Sequence, residues 1–230
     1  IDIGAGGSAR PEEQVQKLSD KFNLPLTFGW GMTETAALGA INRGDAYLDR
    51  PNSCGLNVPL LTKIGIMDEN WNLLDTNTVG EITFFSPTNT IGYLKNLDET
   101  TKTIQQGWLR TGDLGYVDSD GFLFIVDRKK ALIIRGGENI STLEVENILD
   151  KYQGIKESCV CGIPDEKFGE IVGAYIYADD NINEDQLKDF LSSHLAAYKI
   201  PSIFKFTTSP LPRIASEKID RVSIKKLIAE

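Results

Sequence analysis

Across residues 11–22, Val15, Leu18 and Phe22 recur at three- and four-residue spacing behind Glu12 and Glu13, so the pattern predicts an amphipathic helix. The period then changes. Residues 24–30 read as a buried strand running into glycine, the kind of strand end where α/β folds place ligands. From 62 to 85, short apolar runs alternate with turns, as in Lys63-Ile64-Gly65-Ile66-Met67-Asp68 and Gly80-Glu81-Ile82-Thr83-Phe84-Phe85. That predicts a small β-barrel or a distorted sheet. Asp118-Ser119-Asp120-Gly121 is the turn of a hairpin between 115–117 and 122–126. The distal Glu that an EF-hand loop needs is missing at its spacing.

After Asp127-Arg128-Lys129-Lys130 the texture becomes compact α+β. Ser141-Thr142-Leu143-Glu144 is a capping box, and Val145, Ile148, Leu149 and Tyr152 follow on one helical face. Strands are expected near 155–163 and 170–178. A second helix starts at Asn183, with Gln186 three on, and buries Leu187, Phe190, Leu191 and Leu195. His194, the only histidine, falls beside that stripe and reads as structural. A last helix is expected over 221–229. The whole is an α/β chain of two domains, 1–127 and 128–230, without repeats or a low-complexity linker.

Composition narrows the function. With 41% hydrophobic and 25% charged residues, the chain is an ordinary globular protein. A formal charge of −9 and the lack of a basic stripe exclude a nucleic-acid-coating role. No apolar run reaches the roughly 18 residues of a membrane span. No signal peptide is visible, and three cysteines fit a reducing cytoplasm. Cys159 and Cys161 would share one face of a strand and read as core. The chain opens at Ile1 inside strand-like sequence, and so reads as part of something longer.

Three segments carry chemistry. In Gly29-Trp30-Gly31-Met32-Thr33-Glu34 the glycines permit close backbone approach and the indole offers a stacking face. Thr33 adds a hydroxyl, and Glu34 a carboxylate suited to a metal ion; the plainer alternative is a helix start capped by Thr33. Arg110-Thr111-Gly112-Asp113 offers a carboxylate beside glycine, suited to the two hydroxyls of a ribose, or else a local backbone cap. Lys218 in Leu211-Pro212-Arg213-Ile214-Ala215-Ser216-Glu217-Lys218 is a late, loop-borne cation suited to charge that develops in a transition state. Arg135-Gly136-Gly137-Glu138-Asn139 reads as a hairpin turn.

In this order the segments resemble the adenylate-forming superfamily of acyl-CoA synthetases, luciferase-like enzymes and nonribosomal peptide adenylation domains. Residues 29–34 look like its aromatic-G-x-T-E segment, Gly6-Gly7-Ser8 like its GGAP-type turn, and 92–130 like its most recognisable stretch. Residues 211–218 resemble its LPRTxSGK segment. The resemblance covers nearly the whole chain and implies the end of a large adenylation domain followed by a small mobile domain.

Carried over, it implies an ATP site in which Gly7, Ser8, Trp30, Gly31 and Met32 surround adenine. It also implies that Thr33 reaches the α-phosphate, Glu34 helps hold Mg²⁺, and Asp113 takes the ribose with Arg128 assisting. Lys218 would bridge the carboxylic acid substrate and the α-phosphate. Lys130 would be the hinge, and Gly136-Gly137 would line the path of the CoA pantetheine. The Arg-Gly-Gly-Glu-Asn-Ile form favours a CoA ligase over a carrier-loading enzyme, with fatty acids ahead of aromatic acids.

Three positions depart from the family's pattern: Glu217 for Gly, Ile214 for Thr or Asn, and Ala131 where an acid is common. Glu217 places an acid beside the Lys218 ammonium and is expected to weaken the positive field at the phosphates. The family's Ser/Thr/Gly-rich loop for the triphosphate is not in these residues, so the 230 residues alone are expected not to adenylate efficiently.

Overall fold

The computed structural model describes residues 3–6, 12–178 and 182–230. They belong to two compact units, Ile1–Lys129 and Lys130–Glu230.

In the first unit β1 (Ile3–Gly6), α1 (Glu12–Phe22) and β2 (Leu26–Trp30) make a crossover between parallel strands, with Gly6 opposite Gly29. β3 (Ala40–Arg43) adds antiparallel to β2; α2 (Asp45–Asp49) and then β4 (Leu56–Asn57) follow, and β4 completes a four-stranded sheet. The second sheet comprises β5 (Lys63–Met67), β6 (Gly80–Phe85), β7 (Ile104–Gln105), β8 (Trp108–Val117) and β9 (Leu123–Arg128), with α3 (Leu97–Thr103) before β7. All its pairings are antiparallel, and among the described residues none closes it, so the turn-rich region takes the sheet form of the expected small barrel or distorted sheet. One core joins the two sheets. Val15, Leu26, Phe28 and Ala40 share it with Ile66, Ile82, Phe84 and Leu123.

The second unit starts with a hairpin of β10 (Ile133–Arg135) and β11 (Glu138–Ile140), followed by α4 (Thr142–Leu149). β12 (Ile155–Asp165), β13 (Gly169–Ala178), α5 (Glu184–Ser192), β14 (Ile203–Thr207) and α6 (Arg221–Ala229) complete it. The sheet runs β11-β10-β13-β12, with β14 parallel to β13. Strand alternation builds two cores on its two faces. Val160 packs with Val145 and Leu149 of α4 and Leu187 and Leu191 of α5. Cys159, Cys161 and Ile163 point the other way, onto Ile224 and Ile228 of α6.

The two thiols lie 4.0 Å apart, and the hydrogen bond to Cys161, together with burial, holds Cys159 well above the ordinary thiol value. Ser141 accepts the Glu144 amide at 3.0 Å and Asn183 the Gln186 amide at 3.1 Å. Each such cap stabilises its helix by about 1 kcal/mol. His194 is exposed at the end of α5, its ring against Phe190.

Candidate active site

The end of β2 delivers Trp30, Gly31 and Met32 into a tight loop. Trp30 is half-buried, its ring 5.1 Å from that of Phe84 on β6. At Gly31 a β-carbon would stand 2.5 Å from the Ala37 carbonyl oxygen, so only glycine permits the fold-back. Thr33–Thr35 then form one 3₁₀ turn, fastened by the buried Thr35 hydroxyl, which donates to the Met32 carbonyl at 3.1 Å. Met32, not Thr33, is the residue at the cap.

A second segment clasps this turn. The Thr90 amide donates to the Glu34 carbonyl at 2.6 Å, the Thr88 hydroxyl to the Thr35 carbonyl at 3.1 Å, and the Tyr93 hydroxyl to Glu34 Oε1 at 3.1 Å. Burial, and then the hydrogen bond and charge of Glu34, raise the Tyr93 phenol. Thr33 stays exposed, and Glu34 Oε2 has no hydrogen bond among the described residues. Among those residues no three His, Cys, Asp or Glu side chains gather as a metal centre. A Mg²⁺ ion that keeps its waters and takes one protein carboxylate plus nucleotide phosphates suits such a site.

Asp113 lies within β8 and not in a free turn; its register partner on β9 is Arg128. Arg128 Nε stands 3.3 Å from Asp113 Oδ1, with 71% of the arginine side chain exposed against 13% of the aspartate. Burial raises the Asp113 carboxyl above its ordinary value; Arg128 opposes this, and Asp127 and Glu81 add to it.

Beneath this strand sits a residue the sequence reading passed over. Glu81 accepts from Arg110 Nη1 at 2.6 Å, from the Gly112 amide at 3.2 Å and from Lys129 Nζ at 3.3 Å. Its signal was a lone carboxylate in the apolar run of β6. Tyr93 had no comparable signal. Glu81 and Phe84 are three residues apart on β6, about 10 Å along the strand and on opposite faces of it, so one strand supports the Gly112 and Trp30 segments from its two sides.

The backbone of Lys129 donates to the Gly112 carbonyl at 2.8 Å, the last such tie before Lys130, which is exposed and opens the second unit. There, Gly136 and Gly137 form the two-residue turn between β10 and β11, with φ of +59° and +91°. The Gly136 amide donates to the Phe168 carbonyl at 2.8 Å, and Arg135 and Lys167 lie over the Phe168 ring. Lys218 is exposed on a short hairpin closed by the Arg213–Ile219 bridge. So Trp30, Thr33, Glu34, Asp113 and Arg128 belong to the first unit, and Gly136, Gly137 and Lys218 to the second. Gly7 and Ser8 lie outside the described residues.

Two family models match the chain: AMP-binding enzyme over residues 2–94, and AMP-binding enzyme C-terminal domain over residues 144–218. The second match ends on Lys218. The chain belongs to the AMP-binding, adenylate-forming enzyme family. A 2-succinylbenzoate–CoA ligase of Bacillus licheniformis is 37% identical over 216 residues, 94% of this chain and 44% of its own length. The o-succinylbenzoate CoA synthetase of Bacillus subtilis with its acyl-adenylate superposes with a TM-score of 0.89 at 32% identity, over 97% of this chain and 46% of that one. The same enzyme with ATP and a magnesium ion gives 0.88 at 32%, over 98% and 46%. The chain spans about half the length of the curated relatives it matches. Among the described residues no helix is long and apolar enough to cross a membrane.

Proposed function

We propose that this chain supplies the later half of an ATP-dependent acid–CoA ligase, which joins a carboxylic acid to AMP, releasing pyrophosphate, and then passes the acyl group to the thiol of CoA. The observation that carries this reading is 37% identity to a CoA ligase across 94% of the chain. For the acid, the sequence reading put fatty acids ahead of aromatic ones. The relatives are 2-succinylbenzoate–CoA ligases, so an aryl carboxylic acid is the better choice for this chain.

In the first step Trp30 offers its ring to adenine and Asp113, backed by Arg128, accepts from the ribose hydroxyls. Thr33 donates to the α-phosphate. Glu34, oriented by Tyr93, holds Mg²⁺, which when bound neutralises charge on the phosphates. The Lys218 ammonium lies between the attacking carboxylate and the α-phosphate. It stabilises charge as the acyl oxygen–phosphorus bond forms and the bond to pyrophosphate breaks.

For the second step the chain turns about Lys130, just past the last residue tied to Gly112, and brings up the Gly136-Gly137 turn. That turn presents backbone without side chains, beside an aromatic ring flanked by two cations, features suited to a thin thiol arm on a phosphorylated carrier. Magnesium and CoA are on this reading the companions of ATP, and the whole protein's place is the cytoplasm.

The test is a panel of aryl and fatty acids offered to the whole protein with ATP and CoA, following AMP release. Aryl-acid-dependent AMP release that needs CoA supports the proposal; release with no acid in the panel contradicts it. One observation favours a second reading, a relative impaired in adenylation: Glu217 adopts φ +64°, a conformation suited to glycine. Under that reading Glu217→Gly raises activity by tenfold or more, roughly the 1.4 kcal/mol that such strain can cost.

A further inference from the structure

The hairpin that carries Lys218 has few ties. The Ile214 amide donates to the Lys218 carbonyl at 2.9 Å, the Glu217 amide to the Ile214 carbonyl at 2.9 Å, and the Asp220 amide to the Pro212 carbonyl at 2.8 Å. The turn closes through Glu217 at φ +64°, where the β-carbon of an L-residue crowds the following carbonyl. Lys218 makes no ion pair among the described residues. The direction of its side chain therefore depends on the turn itself.

One guanidinium spans that turn. Arg213 Nη1 donates to the Glu217 carbonyl at 2.7 Å, and Nη2 donates to Glu157 Oε1. The other oxygen of Glu157 accepts the Leu211 amide at 3.2 Å, at the root of the hairpin. Glu157 belongs to β12, a long strand of the sheet. The planar fork of arginine thus links a fixed strand to the one carbonyl whose residue is in the left-handed region, a geometry a lysine ammonium does not reproduce.

We propose that Arg213, anchored by Glu157, is the positioning residue for Lys218, and that this chain depends on it because Glu217 holds a conformation suited to glycine. The inference rests on Lys218 acting in adenylation. Arg213 then affects the first half-reaction and not the second. Its weight falls when the left-handed position is relaxed.

The experiment uses the whole protein as parent, Arg213→Ala, Glu217→Gly and the double variant. Arg213→Ala should slow acid-dependent ATP–pyrophosphate exchange at saturating ATP by roughly tenfold or more, since small misplacements of a reacting group cost that much. The ATP KM and the rate of thioester formation from supplied acyl-adenylate and CoA should stay within about twofold, each being independent of the lysine. In the Glu217→Gly background the same change should cost no more than about threefold, and Arg213→Lys should not rescue the single variant. Hydrogen exchange at the Ile214 and Glu217 amides should quicken in Arg213→Ala and slow again in the double variant.

Equal losses in both half-reactions, or equal losses with Glu217 and with its glycine replacement, would overturn the proposal. A parent without acid-dependent exchange would sink the adenylation reading instead. The amide exchange of the hairpin would still decide whether Arg213 holds it.

Discussion

Arg110 and Glu81 meet at 2.6 Å on the neighbouring strands β8 and β6, with only 11% and 8% of their side chains exposed. Arg110 also donates to the Asp68 carbonyl at 2.8 Å and lies over the Trp71 ring at 4.1 Å. A carboxylate so enclosed is stable only because charged and amide donors fill its oxygens. Those donors are the segment before Asp113 and the residue before Lys130.

Glu81→Gln keeps the shape and removes the charge. It should destabilise the first unit by about 2–3 kcal/mol, because Arg110 is left half-paired in a buried place. It should also raise the ATP KM severalfold as Gly112 loses a charged acceptor. Thermal melting and steady-state kinetics on the same variant check both. An unchanged melt would mean that Glu81 is not the support described.

Asp113→Asn should trade affinity for stability. The folded carboxyl is raised mainly by burial, so the fold binds its proton more tightly than the unfolded chain does. Below the ordinary carboxylate range the ionised form costs nothing; as pH rises through the folded value the cost appears. The asparagine variant should therefore melt higher than the parent at pH 7, with the gap closing toward pH 4. ATP affinity should fall about tenfold or more through loss of a charged acceptor. Melting curves across pH, together with ATP titration, test the two halves separately.

Arg221→Ala should expose the cost of a buried acid. Glu146 is raised by burial and relieved by Arg221 at 2.8 Å and by the Val160 amide at 2.7 Å. Removing the arginine should cost about 2 kcal/mol, below the usual range for a buried pair because 41% of the Arg221 side chain meets solvent. The deficit should be largest above the carboxylate range and shrink as the pH falls and Glu146 takes up a proton. Denaturation at pH 5 and pH 8 checks the sign. Replacing both partners with apolar residues should recover much of the loss.

The parts of this fold written in local spacing were legible. The helix caps at Ser141 and Asn183, the period-2 burial that sends Val160 and Cys159 to opposite cores, and the helix over Arg221–Ala229 all follow from neighbours in sequence. α3 was invisible because it buries no residue, so no apolar stripe marks it; its local signals are the cap Asn96, which accepts the Glu99 amide, and the charges Asp98, Glu99 and Lys102 at its two ends. Glu81 and Tyr93 were missed for another reason. Their partners, Arg110 and Glu34, lie 29 and 59 residues away, and no local period encodes a contact of that separation. The positive φ at Glu217 was signalled only by the departure from the family's glycine at that position, since a charged residue by itself gives no hint of a glycine-like turn.

The chain by itself should be nearly inert. With the triphosphate loop absent from these residues, acid-dependent ATP–pyrophosphate exchange should fall at least about a hundredfold below that of the whole protein, since fixed positioning of the phosphates is lost. Side-by-side exchange assays decide it, and comparable turnover by the 230 residues would mean that the phosphates are held by groups other than those expected.

The most direct measurement is Lys218→Ala in the whole protein, assayed separately for the two half-reactions. The account predicts that acid-dependent ATP–pyrophosphate exchange drops by about a hundredfold or more while thioester formation from supplied acyl-adenylate and CoA persists near the parental rate. Exchange that survives the substitution, or a thioester step that falls with it, would contradict the role given to this lysine.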